Sequence, residues 1–281
     1  MWSMDQAALA DRLRSLQRGP QILVIPNAWD ATSARIFEDA GFPAVATSSA
    51  GIAYSLGYLD GQRISRSEML AVVSRIAAVV RVPVSADMEA GYGAGPSDVA
   101  ETVRQLLAAG AVGMNLEDAW LEGGEVELAE IPSQQERIRA ARETAQKVGI
   151  PLVLNARTDV YWRGLGDPAG RFEAAVARMN AYLDAGADCA FVPGVRDAKL
   201  IAELAQGVRG PLNVLGGPGV PSVTELQALG VARVSLGSGP MRTAMGATRH
   251  FARELRLCGT YGRMSDAMSS DEASRLFEPR D

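Results

Sequence analysis

The sequence predicts an α/β fold, a closed (β/α)₈ barrel of the TIM type. Eight short runs rich in Val, Ile and Leu recur at intervals of roughly 20 to 40 residues, each preceded by a helix-like stretch that ends in Gly or Gly-Ala. The chain has 281 residues, and one α/β barrel commonly fills about 250. Its 47% apolar residues indicate a large core, and its length does not require a second domain.

The predicted strands follow these apolar runs in chain order. They cover residues 21–27, 44–49, 82–89, 113–118, 151–159, 189–194, 211–216 and 232–237. Helical patterns separate them, as over residues 97–107, which follow a Pro-Ser start signal and stop at Ala109-Gly110. Parallel strands joined by such helices place all their carboxyl ends on one face of the barrel.

The division of the chain follows from the composition of its ends. We predict a barrel domain over residues 1–258 and a helical extension over residues 259–281, with one or two helices that pack on a neighbouring subunit. No apolar run reaches the roughly 18 residues of a membrane span. The amino terminus is typical of a polar helix without a signal-peptide core, so we expect a cytoplasmic protein.

Charge and the rarer residue types exclude several function classes. The net charge of −5, without a basic stripe, predicts neither nucleic acid nor an anionic membrane as a partner. Cys189 and Cys258 are too far apart for a CxxC site, and we expect both to be packing residues. His250, the only histidine, lies in a helical pattern and is expected on its surface. A Ser-His-Asp triad and a histidine-rich zinc site are therefore disfavoured.

Two carboxylates close the third predicted strand. Asp87 and Glu89 lie two residues apart, so that in a strand both side chains project to the same face, and Gly91-Tyr92-Gly93 follows. Hard oxygen ligands of this kind suit Mg²⁺, with Mn²⁺ as an alternative. The pair predicts a divalent metal site.

Other polar residues end neighbouring strands, at the face where barrel enzymes place their active sites. Several acids around one cavity repel each other unless a cation or shared protons offset them, whereas an arginine can pair with a substrate carboxylate. Together these groups predict a metal-bound anion. They are Ser48, Ser49, Asp87, Glu89, Glu117, Asp118, Asn155, Arg157, Asp159 and Asn213, with Asp60 in the loop after the second strand.

Several of these residues have an equally plain structural interpretation. Asp118 and Asp159 can cap helices or pair with Arg157, and Asp30 is typical of a helix cap. The segment 48–51 is either a simple turn or a loop whose backbone N–H groups bind an anion. The glycines within 216–219 and 237–239 are either turn-formers or a phosphate site.

Over residues 22–237 the chain resembles the isocitrate lyase and phosphoenolpyruvate mutase superfamily. Residues 87–93, Asp-Met-Glu-Ala-Gly-Tyr-Gly, are similar to its Asp-x-Asp-x-Gly-Tyr-Gly metal motif, with Glu for the second Asp. The segments 26–34 and 56–61 also resemble family segments. Together these matches are specific, whereas any one alone is not.

The resemblance implies a set of roles. Asp87 would ligate Mg²⁺ directly, while Asp60, Glu89 and Glu117 would hold its waters. Substrate carboxylates or phosphonates would bind to Arg157 and to the backbone at Ser48, Ser49 and Ala50, with Asn213 as a further contact. The proton donor is left open between Tyr92, Glu117 and water. The resemblance also implies a homo-oligomer, a dimer or tetramer, in which a carboxyl-terminal helix swaps between barrels.

One departure from the family bears on the substrate. The lyases and mutases carry a mobile loop with Lys after the second acid pair, and the lyases a Lys-Lys-Cys-Gly-His motif, but residues 119–127 contain no Lys, Cys or His. We therefore expect a Mg²⁺-dependent lyase for a carbon–carbon bond of a small 2-oxo or 2-hydroxy diacid, resembling oxaloacetate decarboxylases and using a metal-stabilised enolate. The alternatives are a phosphonopyruvate-type mutase or hydrolase, a non-catalytic 2-oxo acid-binding protein and a generic phosphate-binding barrel.

Overall fold

A parallel barrel forms the body of the computed structural model, which describes residues 5–122 and 125–278. All eight predicted runs contain its strands, so the predicted fold class is confirmed. A two-stranded hairpin, β6 and β7, adds to the barrel. The strands are β1 (Leu23–Ile25), β2 (Asn27–Ala28), β3 (Val45–Thr47), β4 (Val84–Asp87), β5 (Gly113–Glu117), β6 (Ala119–Glu122), β7 (Glu125–Leu128), β8 (Val153–Arg157), β9 (Cys189–Phe191), β10 (Leu212–Leu215) and β11 (Arg233–Ser235).

The barrel closes through its first strand, which Pro26 divides into two halves. β1 pairs with β11 and β2 pairs with β3, so the two ends of the sheet are consecutive pieces of chain. Asn27 fastens this seam, because its Nδ2 donates to the Thr47 carbonyl at 2.7 Å while its Oδ1 accepts from the backbone N–H of Leu236 and of Gly237. A buried amide thus satisfies backbone groups on both sides of the closure.

Helices surround the barrel, and several begin at side chains that cap their free N–H groups. Asp30 accepts from the Ser33 N–H at 2.7 Å, which confirms it as a helix cap, and Ser65 forms a capping box with Glu68. The helices are α1 (Gln6–Leu16), α2 (Ala31–Asp39), α3 (Ser49–Ser55), α4 (Arg66–Val79), α5 (Pro96–Ala108), α6 (Ile131–Val148), α7 (Arg171–Asp184), α8 (Ala198–Gly207), α9 (Val223–Ala228), α10 (Gly239–Cys258) and α11 (Ser270–Arg275).

The amino-terminal end of the barrel is covered by α1. Ala10 and Leu13 are buried against Leu23, Ile25 and other inward-facing strand residues. The larger core lies between the strands and the surrounding helices. With this end covered, polar groups at the opposite, carboxyl end have access to solvent.

Gly113 on β5 is required by this close packing. A Cβ built there would lie 2.7 Å from Ser85 Oγ and 2.8 Å from Leu13 Cδ2. Gly113→Ala is therefore expected to cost about 1–3 kcal/mol of unfolding free energy through overpacking. Gly170→Ala is the matched control, since no neighbouring atom lies within 4 Å of its added Cβ. Urea unfolding of both variants measures the difference, and equal midpoints would contradict this packing.

The structure corrects two of the predictions and adds one feature, the hairpin of β6 and β7. β4 ends at Asp87, so Glu89 lies beyond the strand and the alternation argument does not apply to it. The hairpin was not predicted. Cys258 is exposed, and only Cys189 is the buried packing residue expected of both.

The tail beyond α10 confirms the added helices. A 3₁₀ turn at Gly262–Met264 and α11 follow, and the Leu276 carbonyl accepts from Arg35 Nε of α2 at 2.6 Å. The domain boundary at residue 258 and the helix swap stay predictions. His250 lies on the surface of α10, as expected. Among the described helices none is long and apolar enough to cross a membrane, and the cytoplasmic location stays a prediction.

Candidate active site

A cavity of about 210 Å³ opens at the carboxyl ends of the barrel strands. Carboxylates, small residues at strand ends and arginines all contribute to its lining. Its lining includes Asn27, Ser48, Ser49, Ala50, Asp60, Asp87, Glu89, Asn115, Glu117, Arg157, Trp162, Arg163, Phe191, Arg196, Ser235 and Arg242.

Asp87, the last residue of β4, is buried and held in one orientation. Its Oδ2 accepts from Ser49 Oγ at 2.7 Å and from the Ser49 N–H at 3.2 Å, and Asn115 Nδ2 lies 3.4 Å from its Oδ1. Asn155 in turn donates to Asn115 Oδ1 at 2.8 Å. These donors fix the carboxylate without an opposite charge in contact with it.

Glu89 reaches the same cavity through an unusual backbone turn. Its φ is +50°, and Gly91 and Tyr92 follow with φ of +87° and +59°. Non-glycine residues rarely adopt this left-handed region, and such strain concentrates at functional sites. Burial raises the pKa of Glu89 to about 8, with further contributions from the charges of Asp87 and Asp60.

Two further carboxylates complete the acidic part of the lining. Asp60 lies on the rim, and desolvation together with the charge of Asp87 raises its pKa. Glu117, at the end of β5, is buried; burial raises its pKa, and Arg157 only partly opposes this. Each of these carboxyl groups is therefore easier to protonate, or to neutralise with a cation, than in water.

Arg157, the last residue of β8, is shared between two acids. Its Nη1 lies 2.7 Å from Glu117 Oε1, while Nε and Nη2 donate to the two oxygens of Asp159 at 2.6 and 3.0 Å. Burial alone would lower the pKa of Arg157, but Glu117 and Asp159 raise it, so the guanidinium stays charged. One cation facing two carboxylates leaves the site acidic.

These residues fit a divalent cation. The charge of Asp87 raises the pKa values of Glu89 and Asp60, and none of the three acids forms an ion pair within the described chain. A hard cation bound by oxygen ligands relieves such repulsion. In residues 5–122 and 125–278, no three His, Cys, Asp or Glu side chains form a direct ligand set, so water would have to supply ligands alongside Asp87.

The raised pKa of Glu89 predicts a pH dependence of stability. Between about pH 4.5 and 8 the native state holds a proton that the unfolded state has lost, so the metal-free protein loses stability as pH rises through this window. A bound cation replaces that proton, so stabilisation by Mg²⁺ should be larger at pH 8 than at pH 6.

Melting temperatures with EDTA and with Mg²⁺ at both pH values measure this effect. In a chain of this size each kcal/mol shifts the melting temperature by about 2–4 °C. Glu89→Gln, which cannot ionise, is the control and should flatten the dependence. An equal Mg²⁺-induced shift at pH 6 and pH 8 in the unmodified protein would contradict it.

The predicted anion-binding loop is the start of α3. Ser48 caps this helix through the Gly51 N–H at 3.1 Å, and the Ser49 N–H is directed to Asp87. Ser49 therefore orients Asp87, which differs from the role expected of its N–H group. Ala50 lines the cavity beside it.

Three other predicted residues lie away from the cavity. Asn213 is the second residue of β10, below the strand end, and donates to Ser235 Oγ at 3.2 Å. Tyr92 is outside the cavity lining, and its buried hydroxyl has no partner in the described structure. Asp118 accepts from Tyr182 at 2.9 Å and pairs with Arg178, so it is structural. The substrate contact predicted for Asn213 and the proton-donor role left open for Tyr92 stay predictions, with neither residue in the cavity lining.

Three arginines in the lining of the cavity were not predicted from the sequence. Arg163, Arg196 and Arg242 line it with Trp162, each in a loop or helix that follows a barrel strand. Arg163 pairs only loosely with Asp159, at 3.4 Å, and its side chain is 40% exposed. The sequence feature that could have indicated these arginines is that each follows a predicted strand. They lie several residues beyond the strand end, however, and a strand-end rule does not include them.

Comparison with known proteins assigns the chain to a class. The family model of phosphoenolpyruvate phosphomutase matches residues 13–256. An uncharacterized protein of Mycobacterium tuberculosis (strain H37Rv) is 38% identical over 82% of this chain and 83% of its own length. The oxaloacetate decarboxylase of Chromohalobacter salexigens is 31% identical over 91% of this chain and 88% of its own.

Solved structures support the same family assignment. A Burkholderia cenocepacia J2315 protein, provisionally named a lyase/mutase, superposes with a TM-score of 0.91 at 40% identity, covering 98% of each chain. Oxaloacetate acetylhydrolase in complex with oxalate gives 0.85 at 28% identity, covering 95% of this chain and 93% of that one.

The fold and site thus define an enzyme of the α/β-barrel lyases and mutases. The chain belongs to the phosphoenolpyruvate phosphomutase family, within the isocitrate lyase/PEP mutase superfamily.

Proposed function

We propose that the chain is a Mg²⁺-dependent lyase acting on a carbon–carbon bond of a small 2-oxo diacid of the oxaloacetate type. The observation that carries this is that one small cavity is lined both by an acidic cluster, Asp60, Asp87 and Glu89, and by arginines. A cation held by the acids and substrate carboxylates held by the arginines would suit such a substrate. Two of the similar proteins act on oxaloacetate by name.

The residues divide the chemistry between them. Asp87 would hold Mg²⁺ directly, with Asp60, Glu89 and Glu117 holding its waters. When bound, Mg²⁺ stabilises negative charge that develops at the oxo oxygen. Arg157 would orient one substrate carboxylate, close to the Phe191 ring that lies 5.7 Å from its guanidinium carbon.

The bond changes balance as follows for oxaloacetate. The C3–C4 bond breaks, its electron pair moves to form the enolate of pyruvate, and CO₂ leaves. A proton then adds to C3. Glu117 is the favoured donor among the described residues, because it lines the cavity and burial raises its pKa, with Tyr92 and water as the alternatives.

Phosphonate chemistry is the second candidate. The matching family model carries the name of a phosphomutase, and the glycines 216–217 and 237 line the cavity, where phosphate sites of barrels often lie. The absence of Lys from residues 119–127 weighs against it. Gly123 and Gly124 of that segment lie outside the described residues.

A substrate panel separates these readings. Turnover of oxaloacetate, alkyl-substituted 2-oxo and 2-hydroxy diacids and phosphonopyruvate should be measured with Mg²⁺ and with EDTA. We expect Mg²⁺-dependent cleavage of a 2-oxo diacid. Phosphonopyruvate turnover alone would favour the second candidate, and Mg²⁺-dependent binding of 2-oxo acids without turnover of any compound would indicate a binding protein.

We also propose that the chain forms a homo-oligomer. α10 contains no buried residue, and apolar side chains are exposed along it and the tail: Met245, Leu255, Leu257, Tyr261, Met264, Met268 and Phe277. Exposed apolar side chains that are grouped in one part of a chain are typical of a contact surface with another protein. Light scattering after gel filtration should give a dimer or tetramer, and a monomer at micromolar concentration would contradict this.

A further inference from the structure

The turn over residues 88–93 has to be held from outside. Glu89 and Tyr92 adopt positive φ without being glycine, and such a backbone persists only where its surroundings over-determine it. One support comes from α5, where Thr102 Oγ1 donates to the Gly91 carbonyl at 2.7 Å. Gln62 Oε1 also accepts from the Tyr92 N–H at 3.2 Å, and the Glu89 carbonyl accepts from the Glu117 N–H at 2.9 Å. These bonds leave the carbonyls of Ala90 and Gly93 to be satisfied.

Arg137 of α6 also supports the turn over residues 88–93. Its side chain is fully buried, and its Nη2 donates to the Ala90 carbonyl and lies 3.5 Å from the Gly93 carbonyl. Its guanidinium thus contacts both halves of the turn that carries Glu89. A planar guanidinium can serve the turn through Nη2 and Gln134 through Nη1 at the same time, whereas an ammonium offers only one nitrogen.

The same side chain connects this turn to β5 and to the hairpin. Arg137 Nη1 donates to Gln134 Oε1, and Gln134 Nε2 donates to the Glu117 carbonyl at 3.1 Å. The guanidinium carbon also lies 5.3 Å from the centre of the Trp120 ring. Arg137 and Gln134 therefore join the turn, at the residue after Glu89, to the Glu117 carbonyl, in addition to the direct backbone bond between Glu117 and Glu89.

Nothing in the described chain neutralises Arg137 by direct contact. It forms no ion pair within residues 5–122 and 125–278, although Asp118 and Asp98 act on it at longer range. Burial lowers its pKa to about 10, so it is still charged at neutral pH. Burying a cation whose hydrogen-bond partners are carbonyls and an amide costs free energy. This cost indicates that the hydrogen bonds of this guanidinium are needed at this position.

We propose that Arg137, acting with Gln134, is a positioning residue for the cation site: it fixes the turn that carries Glu89 relative to the end of β5 that carries Glu117. This inference rests on the proposed function, because it assumes that these acids hold a divalent cation. Groups that orient ligands in this way usually change metal affinity about 10–100-fold when replaced.

The test is Mn²⁺ binding to the EDTA-treated full chain, followed by electron paramagnetic resonance. Arg137→Lys keeps the charge but loses the fork, and we expect its dissociation constant to rise about 10-fold or more. Gln134→Met keeps the length and removes the link to the Glu117 carbonyl, so it should weaken binding in the same direction and serves if the lysine variant does not fold.

Arg142→Lys is the matched control. Arg142 lies on the same helix and also binds carbonyls, those of Leu152 and Gly186, but it pairs with Asp188 away from the cavity. We expect it to lower the melting temperature while leaving Mn²⁺ affinity within about twofold of the unmodified protein.

The outcomes separate the two claims. Failure of the unmodified chain to bind Mn²⁺ would overturn the proposed function together with this inference. Normal binding by that chain and equal affinity in the Arg137, Gln134 and Arg142 variants would overturn the positioning role alone. Weakened binding confined to the first two supports it.

Discussion

Asp87→Asn is expected to abolish Mg²⁺-dependent turnover, with a loss of at least about 10³-fold, while the protein stays folded. The amide keeps the size of the side chain and an oxygen that can accept from Ser49, but it removes the negative charge that would bind the cation directly. Steady-state rates with saturating Mg²⁺ measure the loss.

The stability of Asp87→Asn is expected to change in the opposite direction from its activity. Asp87 raises the pKa values of Glu89 and Asp60, so removing its charge relieves repulsion in the metal-free protein. The melting temperature in EDTA should therefore stay level or rise. Asp30→Asn, at a helix cap, serves as a control that leaves turnover intact. Retained Mg²⁺-dependent activity in Asp87→Asn would contradict the assigned ligand.

Arg157→Met is expected to produce the largest loss of stability, about 3–5 kcal/mol, together with loss of activity. The arginine is the ion partner of Glu117 and the bidentate partner of Asp159, and both acids are buried. Removing one member of a buried pair leaves the other charge uncompensated. Urea unfolding at pH 7.5 measures the cost.

Two comparisons sharpen this test. Arg209→Met removes an exposed pair with Asp184 and should cost no more than about 1 kcal/mol. Lowering the pH protonates the carboxyls that Arg157→Met leaves unpaired, so its cost should shrink towards pH 5. A cost as small as that of Arg209→Met would show that the Glu117 and Asp159 contacts are not those described.

The fold was predictable because its signals are local. Barrel strands such as β1 lie in short apolar runs, and helix caps such as Asp30 lie where the pattern changes. The acids Asp87 and Glu117 were predictable in turn, because they are the last residues of their strands and a parallel barrel gathers strand ends at one face.

Side chains within a strand and backbone beyond its end were less predictable. Asn213, the second residue of β10, donates to Ser235 and is not in the cavity lining, so its contact with substrate stays a prediction. The positive φ of Glu89 and Tyr92 depends on tertiary support from α5 and α6, which no local pattern reveals. Arg163 and Arg242 line the cavity from positions several residues beyond the ends of their strands. At that distance the alternation of side chains along a strand no longer predicts where a side chain points.

The central claim is that one cation, held at Asp87, both stabilises the folded protein and is required for cleavage of a 2-oxo diacid. The most direct measurement titrates Mg²⁺ into the EDTA-treated protein and follows the melting temperature and the rate of pyruvate release from oxaloacetate in parallel, with Asp87→Asn as the background for cleavage in free solution. We predict that both curves have the same midpoint, within about twofold, and that both effects vanish in the variant. A thermal shift that persists in Asp87→Asn, or pyruvate release that does not depend on Mg²⁺, would contradict the account.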